Sequence, residues 1–301
     1  MAASTTLLKR IFNRFGTPME PTPVTDNVVL LGTSSDANST WLKQERILID
    51  LGLPKKAYFE LDEFFFKQID YICLTHEHED HINFSTLYYI LENEPHITVL
   101  MPPRMWQTIM SDNWATKIKQ QVLLNASAIM TAKAKKLPSR NPSITEIVYI
   151  PHVTEHGPIT NLAIELKTVY NTVALSTTCE LTCHFLYATD LSSVYPSMDQ
   201  TIDGLPTPAP SDLFDVICLE ANYNVQLLEE YIKKRNAQLV FEPTSDVKTI
   251  QNELVRAQSN YRHLSETESW LYASHYLKPT GVYLPMHASS TFGTLQQYTR
   301  Y

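Results

Sequence analysis

Apolar residues along this chain gather mostly in short runs bounded by polar or turn-forming residues, the pattern of strands rather than of helical stripes. VVLLGT (28–33), ERILIDLG (45–52), YICLT (71–75) and HITVLMP (96–102) read as strands, with a turn expected around Ser34–Asn38 between the first two. Lys55 to Lys67 is mixed and partly helical, and Asn83 to Asn93 reads as a helix capped by Asn83 or Ser85. The order β-β-α-β-α-β points to a layered α/β fold. Residues 103 to about 143 carry helix-like periodicity and then a Lys-rich loop, which marks an insertion. From 144 the character turns to β, with ITEIVYIP, NLAIELKTV, TVALST and TCHFLYATD as strands. The loop GLPTPAP (204–210) leads to a strand DVICLEA (215–221), helices VQLLEEYIKKR (225–235) and ETESWLYASHYL (266–277), and a closing strand GVYLPMH (281–287). Residues 1–26, which include the Pro-rich linker PMEPTP (18–23), form an N-terminal extension and linker, and 27–301 a single domain with the insertion. The basic, acid-free opening MAASTTLLKRIFNRFG faintly resembles a targeting peptide, although a short packed helix is the preferred expectation.

Composition narrows the class. With 44% hydrophobic and 19% charged residues, the 301-residue chain is ordinary for a soluble enzyme. No run approaches the ~18 apolar residues of a membrane helix, so no membrane partner is expected. Four cysteines are too few for a disulfide scaffold, which favours a reducing compartment, the cytoplasm. Cys179 and Cys183 could form a C-x3-C clip or bridge, but free thiols near a hairpin are the simpler reading. A net charge of −8 weighs against a protein that grips long nucleic acid through its phosphates, the basic stretch KAKKLPSR (133–140) notwithstanding.

The chemistry concentrates in LTHEHEDH (74–81). Of ten histidines in the chain, His76, His78 and His81 fall in this one stretch, with Asp80 among them. Extended H-x-H places two imidazoles on one side of the backbone, where they can share a cation. Asp80 and His81, at the entry to the next helix, point elsewhere and can bind a second cation. Crowded histidines gain little unless a metal is bound.

H-E-H-E-D-H resembles the H-x-H-x-D-H signature of the metallo-β-lactamase superfamily. That resemblance implies an αββα four-layer sandwich and a binuclear metal site, and it assigns further residues from about 27 to 293. Asp50, in ILIDLG, is similar to the family's early acid that orients a metal-binding histidine. His156, in EHGPITNLAIEL, matches the third motif, with His152 as its competitor. The distance to the following strand favours His156. Asp190, closing HFLYATD, resembles the carboxylate that bridges both metals, and His287, closing GVYLPMH, the last ligand. The implied sets are His76, His78, His156 and Asp190 for one metal and Asp80, His81, Asp190 and His287 for the other. Zinc suits the imidazole-rich set, and manganese is credible where carboxylates share in binding. Two cations sharing a water would lower its pKa towards neutrality and neutralise charge on an attacked group.

CLEANYN (218–224) and YRHLSETES (261–269) are similar to motifs of the superfamily's phosphodiesterase branch, which includes tRNase Z enzymes, WalJ (YycJ) exonucleases and phage anti-Pycsar cyclic-nucleotide phosphodiesterases. There a Glu–His pair supplies the leaving-group proton, and Glu220 and His263 match it. The candidate catalytic residues are thus Asp80, Glu220 and His263. LLGTSSDANSTWL and ILIDLGLPKK lean towards the WalJ-like group, although Thr33 and Asp36 replace expected glycines and RHLSE departs from G-H-L-S-N at Arg262 and Glu266. The expectation is a binuclear-metal phosphodiesterase acting on nucleic acid or nucleotides, with homodimers common among such relatives. Acidic charge favours a cyclic nucleotide as the alternative substrate. A thioester or lactone hydrolase would not need Glu220 and His263, and a non-catalytic binding module would hold nucleotide without turning it over.

Overall fold

β1 (Val28–Ser34) and β2 (Ala37–Leu42) pair antiparallel, with a register shift between Leu30 and Gly32. The computed structural model that reveals this pairing describes residues 27–34, 37–103, 105, 107, 128–130, 133–156, 159–174, 177–191, 208–241, 247–289 and 291–294. The N-terminal extension, most of the 103–143 insertion and most of GLPTPAP lie outside the described residues. The chain divides into two compact units, Met1–Val153 with Ile159–Leu186, and Thr154–Pro158 with Tyr187–Tyr301.

In the first unit β2 was not foreseen. ANSTWL carries Asn38, Ser39 and Thr40, all fully buried, so neither an apolar run nor an alternation marks it as a strand. Three short strands, β3 (Ile47–Ile49), β4 (Tyr71–Cys73) and β5 (Thr98–Met101), continue the sheet in parallel, followed by β6 (Ala128–Met130). Leu48 lies beside Ile72, and Ile72 beside Val99. These central strands are apolar without alternation because both faces are covered. On one side α1 (Lys55–Leu61) and α2 (Phe84–Asn93) pack Tyr58, Leu87 and Ile90, with Phe65 and Phe66 of a 3-10 turn, against Leu48, Ile72 and Val99. α2 starts where Asn83 accepts a hydrogen bond from the Thr86 backbone N–H at 3.0 Å.

A further set of strands in this unit follows the order β10-β9-β8-β7. β7 (Lys135–Leu137) pairs antiparallel with β8 (Ile144–His156), Lys136 beside Val148. β9 (Ile159–Ala174) takes in all of NLAIELKTV and the start of TVALST, which read as separate strands in the sequence. β10 (Thr177–Ala188) carries TCHFLYA.

The second unit is built on β11 (Phe214–Glu220) and β12 (Leu277–Met286), which pair in parallel. Parallel neighbours need a crossover. It is supplied by α3 (Val225–Phe241), α4 (Val247–Ser259) and α5 (Glu266–Tyr276). The sequence pattern had not marked α4. Ser265 opens α5 with a reciprocal capping box to Glu268. Tyr223, Leu228, Ala257 and Phe292 form a small core beneath these helices. Two sheets and their helices make the mixed α/β class that the sequence pattern anticipates.

Candidate functional site

Within the first unit, the stretch 74–83 leaves β4 and turns back over the end of the sheet. Its shape is fixed by backbone bonds. Asn38 N–H donates to the Asp80 carbonyl at 2.6 Å, Leu51 N–H to the His81 carbonyl at 2.7 Å, and Asn83 N–H to the Leu51 carbonyl at 2.7 Å. The approach is so close that a Cβ on Gly52 would stand 1.9 Å from the Asp80 carbonyl oxygen. Only glycine fits there.

Asp50 lies fully buried at the centre of this arrangement. Its Oδ2 is 2.7 Å from Nδ1 of His81, and its Oδ1 accepts from the Thr75 backbone N–H at 2.9 Å. A carboxylate cannot donate, so Nδ1 of His81 carries the proton and Nε2 keeps its lone pair. The Thr75 hydroxyl, 2.9 Å and 3.0 Å from the two Asp50 oxygens, must spend its one proton on the carboxylate. That hydroxyl is then the acceptor for Nδ1–H of His76 at 3.0 Å, which leaves Nε2 of His76 as its lone-pair nitrogen. Asp50 therefore sets the tautomer of His81 directly and that of His76 through Thr75. Nε2 of His76 lies 3.0 Å from Nδ1 of His78, and Nε2 of His81 lies 3.3 Å from the Asp80 carboxylate. The Asn38 amide stands 3.0 Å from Nε2 of His81 and 3.1 Å from the same Asp80 oxygen. Neither Thr75 nor Asn38 is a candidate on sequence grounds. Thr75 was visible as the residue preceding H-x-H, but nothing in the polar ANSTWL distinguishes Asn38.

The second unit holds another constellation. Asp190 follows β10, Glu220 ends β11, His263 precedes α5 and His287 follows β12. One ligand atom from each of these four lies within 4.8 Å of the others. Glu220 is fully buried and its two oxygens are divided between partners. Oε1 receives Nδ1–H of His263 at 2.6 Å and of His287 at 2.9 Å, while Oε2 receives the Leu191 backbone N–H at 2.6 Å. Burial pushes the Glu220 carboxyl up, but the His263 and His287 rings outweigh it and hold the pKa below the usual carboxylate range. Nδ1 of both rings is committed to Glu220, so Nε2 is the atom each offers elsewhere. For His287 that atom is 3.4 Å from the Asp190 carboxylate. Asn222, inside CLEANYN but assigned no role from sequence, donates to the His287 carbonyl at 2.9 Å and clamps the loop.

His156 ends β8, with its side chain outside the described residues. Its competitor His152 places Nε2 2.7 Å from Oε2 of Glu165, whose other oxygen takes Nε2 of His184 at 2.7 Å. Cys73 and Cys218 are buried free thiols, and burial pushes both thiols up. Cys179 lies outside the described side chains.

Among the four described non-glycine residues at positive φ, three are site candidates: Asp50 at 58°, Asp190 at 54° and His287 at 54°. This conformation costs about 1–2 kcal/mol for an L-residue. Here it turns the chain at a strand end so that a carboxylate or imidazole faces the other site residues.

In chemical terms each unit presents imidazole nitrogens with fixed tautomers beside carboxylate oxygens, a donor set that fits a divalent cation. Residues 33–167, a little under half of the chain, match the family model of the Metallo-beta-lactamase superfamily, and the chain's two sheets with helices match that fold. The match includes Asp50 and the 74–81 stretch and ends before Asp190. Members of the superfamily are mostly hydrolases, and the clustered histidines and acids suggest metal binding. Solved structures similar to this chain include human tRNase Z, short form, at 15% identity and TM-score 0.47 over 87% of this chain and 92% of that one. The metallo-beta-lactamase fold protein YhfI from Bacillus subtilis is similar at 15% identity and TM-score 0.40, over 65% and 70%. No curated protein matches the chain. No helix among the described residues is long and apolar enough to cross a membrane.

Proposed function

We propose that this chain is a metal-dependent phosphodiesterase that hydrolyses phosphodiester bonds in nucleic acid or nucleotides. The observation that supports it best is the single oxygen of Glu220 shared between Nδ1 of His263 and Nδ1 of His287. One carboxylate then serves two tasks. It fixes Nε2 of His287 as a lone-pair donor for a cation, and it holds the His263 ring by Nδ1, so that Nε2 is the atom from which a proton passes to a departing oxygen. The partial exposure of His263, 18% of its side chain, suits a donor that meets substrate.

The proposed metal ligands are those of the superfamily signature: His76, His78, Asp80, His81, His156, Asp190 and His287, with zinc or manganese as the ions. Bound cations supply an acidified water and charge neutralisation at the phosphoryl group. The remaining work belongs to side chains of this chain. Asp50 holds His81 and, through Thr75, His76; Glu220 holds His287; Asn222 holds the loop that carries it. His263 delivers the proton with which the leaving oxygen departs as an alcohol, a need that phosphodiesters of nucleosides have and thioesters lack.

The test is a panel run on purified protein loaded with zinc or manganese, beside His76→Ala: 5′-phosphorylated single-stranded DNA, an RNA oligomer and 3′,5′-cyclic nucleotides. Turnover of either oligomer supports a nuclease. Opening of cyclic nucleotides alone moves the substrate to signalling nucleotides, the reading that the net charge of −8 favours. Two bound metals with no turnover of any member would refute the proposal and direct attention to thioesters and lactones.

A further inference from the structure

Directly before His263 runs a 3-10 turn, Asn260–Arg262, which closes with the His263 backbone N–H on the Asn260 carbonyl at 3.0 Å. Its two following side chains are both exposed. Tyr261 is 48% exposed, an unusual state for a large aromatic, yet its ring is not loose. It stands edge-to-face on Tyr223, centroids 5.8 Å apart at 87°. Tyr223 is buried, and its backbone is tied to the start of α5 by Glu266 N–H on its carbonyl at 2.9 Å. A buried ring therefore props an exposed one, two residues before the one proposed to protonate the leaving group. Arg262 adds a positive charge at the same point, with no ion-pair partner among the described residues. An exposed aromatic ring and an exposed guanidinium on adjacent residues are a pair suited to a nucleobase and the phosphate following it.

We infer that Tyr261 and Arg262 form the subsite for the leaving-group nucleotide: the base stacks on Tyr261 and Arg262 takes the next phosphate. The substrate class is then single-stranded oligonucleotide, since a 3′,5′-cyclic nucleotide has no further phosphate to offer. This rests on the phosphodiesterase reading of the Glu220–His263 pair and names its substrate.

The test uses full-length, metal-loaded protein and two single-stranded DNA oligomers, identical except that one is abasic at the nucleotide on the leaving side. Binding is read by fluorescence anisotropy and cleavage by product release, for the wild type, Tyr261→Ala, Tyr261→Phe and Arg262→Ala. The wild type should favour the base-bearing oligomer by about tenfold or more, chiefly in Kd and KM. Tyr261→Ala should erase that preference and Tyr261→Phe should keep it. Arg262→Ala should make the slope of log affinity on log salt shallower by about 0.7. A base preference that survives in Tyr261→Ala, or oligomers that do not bind at all, would overturn the inference. Oligomers bound with a Tyr261-dependent preference but never cut would leave the base-and-phosphate subsite standing and refute the enzymatic reading instead.

Discussion

Replacing His263 with alanine separates proton donation from every other role of the site. Structurally the change is mild. Glu220 keeps the His287 ring at 2.9 Å and the Leu191 N–H at 2.6 Å, losing only the His263 contact at 2.6 Å. A charge-assisted bond contributes about 1.5–3 kcal/mol when both partners stay dry. His263 is partly exposed, so water can replace it and the stability cost should fall at or below the low end of that range. Catalytically the change is severe for a poor leaving group. Positioned general acids contribute about 10²–10⁴-fold, so hydrolysis of an internucleotide bond should drop by that factor. A p-nitrophenyl phosphodiester releases a stable phenolate and needs no proton, so on it the variant should stay within about tenfold of the wild type. Steady-state rates on both substrates, with metal content and thermal unfolding measured on the same preparations, complete the assay. Equal losses on both leaving groups would refute proton donation and leave His263 a positioning residue. No loss on either would remove it from the chemistry.

Three other outcomes follow from the geometry. Gly52→Ala drives a Cβ into the Asp80 carbonyl oxygen at 1.9 Å and the Asn38 nitrogen at 2.7 Å, both backbone, so it should cost more than about 3 kcal/mol in denaturant unfolding. A cost under about 1 kcal/mol would contradict the close approach. Asp50→Asn removes the acceptor that fixes His81 and, through Thr75, His76; metal affinity in a chelator competition should fall about 10–100-fold. In Glu165, burial pushes the carboxyl up, but the bonds from His152 and His184 outweigh it and set the folded-state pKa well below the ordinary 4.5. The stability it contributes is complete above that pH and is lost as pH falls below it towards the folded value. Glu165→Gln should therefore lower stability at neutral pH and flatten its acid decline below about pH 4.5. An unchanged slope would show that the two histidines do not hold the carboxylate.

The parts of the fold that the sequence pattern revealed are those where burial and chemistry coincide. The runs ILIDLG, YICLT and DVICLEA are largely buried, and each contains a site residue or ends just before one, so apolar pattern and motif mark the same place. β2 escaped because its buried positions are polar. Asn38 and Ser39 bond to Asp80, His81 and the Asp50 carbonyl instead of packing on apolar neighbours. α4 escaped for another reason. Its buried face is narrow, Ile250, Leu254 and Ala257, and Val255 on the opposite side blurs the stripe. Thr75 and Asn222 could not be assigned roles because each acts by orienting a histidine. Only distances reveal that Thr75 passes the influence of Asp50 to His76, or that Asn222 donates to the carbonyl of His287.

The left-handed backbone at Asp50, Asp190 and His287 also bears on how relatives of this chain would diverge. Glycine adopts that conformation without strain, so each position is one where a simpler residue would relax the chain. Only a demand for the carboxylate or imidazole keeps the costlier residue in place. A lineage freed from its reaction should therefore accept glycine at 50, 190 and 287 early, while β3 and β11 change little. Retention of acid, acid and histidine at those three corners would serve as a record, written in the backbone, that selection for chemistry has not lapsed.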